Sequence, residues 1–179
     1  MKIIQKPMPS EYPEYSKIYM DLLDNNKNIL TQLWDNFLEL KKFIYSLSEE
    51  KLNYRYAKNK WTIKEILVHN IDDERIFSCR AMRFARNDNT PLPGFEQDDY
   101  AKFSNAKERS LDSIFDEYEA VRKSTITLFK YLPEESFLRK GTGIDQDGSI
   151  INERTVRAFV YHIAGHELRH LKIIKERYL

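Results

Sequence analysis

The chain has 179 residues, of which 41% are hydrophobic and 32% charged, enough for one domain with a real buried core. Its 29 Lys and Arg against 28 Asp and Glu leave a formal charge of +1, so bulk charge favours neither nucleic acid nor a membrane surface as a partner. The start, MKIIQKPMPSEYPEY, lacks the apolar run of a secretory signal, and no later stretch approaches the roughly 18 apolar residues of a membrane span, so a cytoplasmic location is expected.

Glycine is sparse and apolar spacing is mostly helical, which predicts an all-α chain. Residues 1–26, with Pro7, Pro9 and Pro13, read as an extended N-terminal arm ending in a short turn. After the Asn25-Asn26 breaker, Ile29, Leu33, Phe37, Leu40 and Phe43 recur at steps of three and four and predict the first long helix. Ser48 can cap a short turn through Leu52. In KNKWTIKEIL, Thr62 and Glu65 fit a capping box, so a second long helix starts there and runs to about Arg86. On this helix lies Cys79, which excludes an intramolecular disulfide and reads as a small packed side chain.

NDNTPLPG predicts a loop over 87–94, followed by a short helical piece near 97–103. Leu111, Ile114, Phe115, Tyr118, Val121 and Leu128 mark a third long helix near 109–131. Pro133 starts a turn, and KGTGIDQDGSI suits a tight connection such as a small hairpin. The last helix begins near Asn152 or Thr155 and continues almost to Leu179. Four long helices, with connections long enough to cross over, describe a four-helix bundle over residues 28–179 and a single domain over 1–179.

Within the last helix stands GHELRH, Gly165 to His170, which contains the H-E-x-x-H spacing of zinc metalloproteases. On a helix, residues four apart share a face, so His166 and His170 can grip one metal; two ordinary surface histidines would give the same letters. Against the stripe Val156, Val160, Ile163, Leu171 and Ile174, a helical wheel puts His170 roughly 40° from the centre, His166 roughly 80° and His162 roughly 120°. His166 and His170 therefore look inward and His162 sits toward the edge. Glu167, about 20° from the centre, is carried into the core and needs a partner, which a metal or a metal-bound imidazole would supply.

A protease would take its third ligand from downstream, but only nine residues follow His170 and none is His or Asp. Glu176 lies too close on the same helix, so the protease reading fails on geometry. The remaining histidine is His69, on the second helix. Asp72 and Asp73, three and four residues on, share its face. Taken alone this stretch reads more readily as a core histidine beside a solvated acidic edge than as a site.

The combined residues resemble a known family, the DinB-like (DinB/YfiT-like) metal-binding four-helix bundles of bacteria. KWTIKEILVHNIDDER is similar to the family's helix start and its His-x-x-Asp-x-Glu-Arg run, here Trp61, Thr62, Glu65, His69, Asp72, Glu74 and Arg75. RFARNDNTPLPGFEQDDY resembles the exit of that helix in one branch, and GHELRHL resembles the final helix. The resemblance implies that His69, His166 and His170 bind a divalent metal, zinc or nickel, with iron and manganese as alternatives. His162 matches no ligand position. Glu167 or Asp73 would hydrogen-bond a ligand imidazole from behind, with Asp72 the alternative by resemblance; surface salt bridges are the competing reading for all three acids.

By the same resemblance the expected activity is transfer of a low-molecular-weight thiol of the bacillithiol type to an electrophile. A metal-dependent hydrolase and a non-catalytic, stress-linked metal-binding bundle are the alternatives. The expected partners are a small thiol, an electrophile and a second copy of the chain in a homodimer, with no nucleic acid and no membrane.

Overall fold

The computed structural model describes residues 2–145 and 147–179. Among them the chain forms α1 (Lys17–Met20), α2 (Ile29–Ile44), α3 (Glu49–Leu52), α4 (Ile63–Ala85), β1 (Leu92–Pro93), α5 (Gln97–Phe103), α6 (Leu111–Tyr131), β2 (Lys140–Ile144), β3 (Ile150–Thr155) and α7 (Val156–Arg177). Each long helix starts where a side-chain oxygen can take an orphan N–H of the first turn. Asn28 Oδ1 accepts from Leu30 N at 3.0 Å, Ser110 Oγ from Ser113 N at 3.2 Å, and Thr155 Oγ1 from Ala158 N at 3.3 Å. At α4 the expected box is present: Thr62 Oγ1 accepts from Glu65 N at 3.1 Å, and Thr62 N donates to Glu65 Oε2 at 2.6 Å. The same helix ends where Asn87 turns to φ 61°, which lets Asp88 N donate back to the Arg83 carbonyl at 3.0 Å.

The long helices make a four-helix bundle with crossover connections. α2 and α4 each pack on both α6 and α7, so α2 and α4 lie on one diagonal and α6 and α7 on the other. Residue pairing gives the directions. Glu74 meets Arg122 and Met82 lies beside Leu128, so α4 and α6 run parallel. His69 meets His166 while Phe77 meets Phe159, so α4 and α7 run antiparallel. Parallel neighbours cannot be joined by a tight turn, and residues 86–110, which include β1 and α5, make that crossover.

The hairpin expected from KGTGIDQDGSI is the antiparallel pair β2–β3; Gln146, in its connection, lies outside the described residues. Two residues of the expected loop 87–94 add to it as β1, parallel to β2 with Leu92 opposite Gly143. A strand of two residues is too short to show alternation in sequence. Gly141 is required here because a Cβ would sit 2.1 Å from the Phe84 ring.

The N-terminal arm is more structured than its prolines suggest. Two 3-10 turns, Pro9–Glu11 and Glu14–Ser16, lead into α1, which packs on α7 and buries Met20, while Ile4 and Leu23 also enter the core. Tyr161 Oη donates to the Ile4 carbonyl at 2.9 Å and Arg157 Nε to Glu11 Oε2 at 2.8 Å, so α7 holds the arm along its length. Among the described residues no helix is long and apolar enough to cross a membrane.

The core is divided. One apolar cluster holds Ile29, Leu33, Phe77, Phe84, Phe129, Phe159 and Val160; the other holds Phe37, Leu40, Ile66, Ile71, Phe115, Leu171 and Ile174. Between them each long helix contributes buried polar residues: Asn36 from α2, Asp73 and Glu74 from α4, Arg122 and Thr125 from α6, His166 and Glu167 from α7. A buried polar layer is costly unless its members satisfy one another, so its chemistry has to be accounted for atom by atom.

Candidate metal centre

His69 on α4 and His166 on α7 face each other at one edge of the polar layer, and His170 follows one turn along α7. His69 Nε2 lies 3.2 Å from His166 Nε2, and His170 Nε2 lies 3.1 Å from His166 Nε2. The three donor nitrogens all fall within 4.8 Å of one another, and among the described residues no other group of three or more His, Cys, Asp or Glu converges in this way. Burial holds His69 down to about 4 and His170 down to about 3, and pushes His166 well below the usual histidine range, so all three rings are neutral at neutral pH.

These residues fit a metal ion. Two nitrogens at about 2.0–2.1 Å from one ion stand about 3.3 Å apart at a tetrahedral angle and about 2.9 Å apart at a right angle, which brackets both observed separations. Hydrogen bonding among the rings cannot replace the ion, since His166 Nε2 carries either one proton or one lone pair and faces two nitrogens. On the far side of that ring, Asp73 Oδ2 lies 3.5 Å from Nδ1. Asp73 Oδ2 has no hydrogen-bond partner at this separation; drawn in to hydrogen-bond distance, it would favour the Nδ1–H tautomer, which turns the Nε2 lone pair toward His69 and His170.

Asp73 is buried, and burial raises its carboxyl to about 7. Its Oδ2 also lies 3.8 Å from His162 Nε2. His162 therefore departs from the sequence expectation: it is 3% exposed and stacks on Phe77 with ring centroids 4.1 Å apart and planes 9° apart. The wheel puts it at an edge because it counts one covered face of α7, whereas α1 covers another. A Cβ on Gly165 would sit 2.3 Å from the Tyr19 carbonyl oxygen, so only glycine allows α1 to approach this closely. The Tyr19 ring then meets His162 and His166 edge-on at 4.8 and 5.5 Å.

Two of the acids expected behind the ligands are elsewhere. Glu167 is buried as expected, but its partners are Tyr118 Oη, which donates to Oε1 at 2.8 Å, and Arg122 Nη1, 3.1 Å from Oε2. Arg122 also grips Glu74 through Nε and Nη2 at 2.9–3.0 Å and donates to the Leu33 carbonyl, which ties all four long helices together. Asp72 is half-buried beside Val68, Arg109 and Glu117, with no imidazole contact. One residue of helical rotation, about 100°, separates it from Asp73 and carries it out of the site. Cys79 is likewise exposed rather than packed, lining a surface groove between α4 and α6.

Residues without a site role in sequence complete the surroundings. The Trp61 ring, just before the α4 cap, lies 4.6 Å from that of His69 and stacks at 6.3 Å and 24° on His170. His170 is half-buried and opens into a cavity of about 300 Å³ whose wall includes Tyr56, Trp61, Asp98 and Tyr178. Arg122 did leave a signal: a lone cation on the stripe Phe115, Tyr118, Val121, Thr125 and Phe129. Tyr19 and Asp98 left none, because they reach the site from segments remote in sequence.

Fold and site together define a four-helix bundle with a candidate three-histidine metal centre between two antiparallel neighbours. A DinB superfamily profile matches residues 29–174, and the chain belongs to that superfamily. The uncharacterized protein YuaE of Bacillus subtilis (strain 168) is 28% identical over 155 residues, spanning 78% of this chain and 90% of YuaE. The structure of YfiT from Bacillus subtilis superposes with a TM-score of 0.67 at 16% identity, covering 96% of this chain and 90% of YfiT, and shares the fold. YfiT is described as a probable metal-dependent hydrolase with an unusual four-helix bundle topology.

Proposed function

We propose that this protein is a metal-dependent enzyme that joins a low-molecular-weight thiol, of the bacillithiol type, to an electrophilic carbon. The observation that carries the reading is the convergence of three neutral imidazole nitrogens, with His170 lining a cavity large enough for a small molecule. His69, His166 and His170 would hold the ion, zinc or nickel by donor type with iron and manganese as alternatives. A divalent ion bound by three imidazoles supplies an open position at which a thiol or water loses its proton near neutral pH. Asp73 would hold the His166 ring in the binding tautomer, and the Trp61, Tyr56 and Tyr178 rings line the cavity wall.

Hydrolysis is the second reading, favoured by the description of YfiT. It cannot run as in the metalloproteases that share the H-E-x-x-H letters, because both carboxylate oxygens of Glu167 are held by Tyr118 and Arg122. Zinc- or nickel-loaded protein, offered a thiol and a fluorogenic alkylating substrate such as monochlorobimane, is expected to form the thioether faster than protein treated with chelator. Metal-dependent hydrolysis of an ester or amide panel, with no thioether formed, would put hydrolysis in its place. A homodimer, taken from the family resemblance, is part of the proposal; a monomer in sedimentation at micromolar concentration would remove that part alone.

A further inference from the structure

We infer that Asp98, on α5, is the catalytic proton acceptor of this site, in the role that the H-E-x-x-H spacing would give to Glu167. The inference rests on the proposed thiol transfer at the His170 cavity. Three observations support it. Glu167 is unavailable, since both of its oxygens are engaged in the buried network with Tyr118 and Arg122. Asp98 is the one carboxylate among the residues lining the cavity into which His170 opens. Its Oδ1 accepts from the Trp61 indole N–H at 3.0 Å, and the same indole ring stacks on His170 and touches His69.

The Trp61 bond fixes one oxygen of Asp98 and leaves Oδ2 for a substrate proton. His170 and Asp98 line the same cavity of about 300 Å³, so a thiol bound there would have both within its surroundings. The step balances without an added oxidant or reductant. Asp98 takes the S–H proton, the sulfur lone pair forms the new S–C bond, the bond from carbon to its leaving group breaks, the leaving group departs with that bonding pair (chloride, for monochlorobimane), and the Asp98 carboxyl then gives its proton to water.

Placing the acceptor on α5 also gives the crossover between α4 and α6 a use. Parallel neighbours need a long connection, and in this one α5 packs on α4 and brings Gln97 and Asp98 to the wall of the His170 cavity.

The test uses the metal-loaded full chain with a thiol and monochlorobimane. Asp98→Asn keeps an acceptor for the Trp61 N–H but cannot take a proton. Its kcat is expected to fall by about 10²–10⁴-fold, the usual contribution of general acid–base catalysis, with metal content, melting temperature and KM for the thiol near those of the unsubstituted protein. Added formate or acetate should restore part of the rate to Asp98→Ala, which vacates the space of the carboxyl, and none to Asp98→Asn, whose amide fills it. An Asp98→Asn rate within a few fold of the unsubstituted protein, or a rate loss that tracks lost metal or stability, would overturn the assignment. If the unsubstituted protein itself forms no thioether, thiol transfer has failed, and the same substitution and rescue are then read on ester hydrolysis; no loss there would overturn Asp98 independently.

Discussion

Glu167 Oε2 lies 3.1 Å from Arg122 Nη1, so the glutamate of the H-E-x-x-H run is bound to a guanidinium on a different helix from the imidazoles around it. The pair is buried, with side-chain exposures of 0% and 2%. Burial pushes the Glu167 carboxyl up while Arg122 pulls it back down, and the two carboxylates Glu74 and Glu167 hold Arg122 charged against its own burial. Removing one partner of a buried ion pair strands the other. Arg122→Met is therefore expected to lose about 3–5 kcal/mol of stability. Glu167→Gln, which keeps a hydrogen-bonding oxygen, should retain its metal and lose well under the roughly 10²-fold expected of a catalytic base. Denaturant melts and turnover of the two variants check this together.

Metal content should divide the four histidines three to one. His69→Ala, His166→Ala and His170→Ala are each expected to lose bound metal, and His170→Ala to abolish turnover, whereas His162→Ala should keep metal and lose stability through the cavity left against Phe77. Elemental analysis of purified variants decides it. Retention of a full equivalent by His69→Ala would remove the three-histidine centre.

Asp73→Asn should weaken metal binding by about 10–100-fold, the usual cost of losing a carboxylate behind a ligating histidine. Competition with a chromogenic chelator measures the affinity directly. Asp72→Asn, on the neighbouring half-buried position away from the imidazoles, should leave it unchanged.

Gly165→Ala sets helix propensity against packing. Alanine would gain about 1 kcal/mol in a helix interior, but its Cβ meets backbone at 2.3 Å, and overpacking of this kind costs about 1–3 kcal/mol. The expected outcome is a lower melting temperature with earlier proteolysis of residues 1–20, because α1 is the element that must move away.

Metal-free protein should be destabilised by mild acid. Burial lowers the folded-state pKa of His69 from 6.5 to about 4 and of His170 to about 3, so between these values and 6.5 the unfolded chain binds protons that the folded chain refuses. Their contribution is intact above pH 6.5 and declines as pH falls toward 4, by up to about 1.4 kcal/mol per pH unit per imidazole. Urea melts of chelator-treated protein at pH 7.5 and 5 test the sign.

Local rules carried much of this structure. Thr62, Glu65, Ser48, Thr155 and the spacing of Ile29 to Phe43 determined where helices begin and which face each buries, since caps and periodicity act within a few residues. The i, i+4 spacing of His166 and His170 likewise put both on one face of one helix. Partners across helices were a different matter. Glu167 was legible as a buried carboxylate, but its partner was not, because Arg122 lies 45 residues away and only the packing of α6 on α4 brings it there. His162 was misplaced, and Tyr19 and Asp98 overlooked, for the same reason: a helical wheel knows one helix, whereas the arm crossing at Gly165 and the crossover carrying α5 are decided by how the helices are arranged in space. Sequence determined the donors and the faces they occupy; the parallel and antiparallel pairing of the bundle decided which carboxylate stands behind an imidazole, which is locked in the core and which reaches the open cavity.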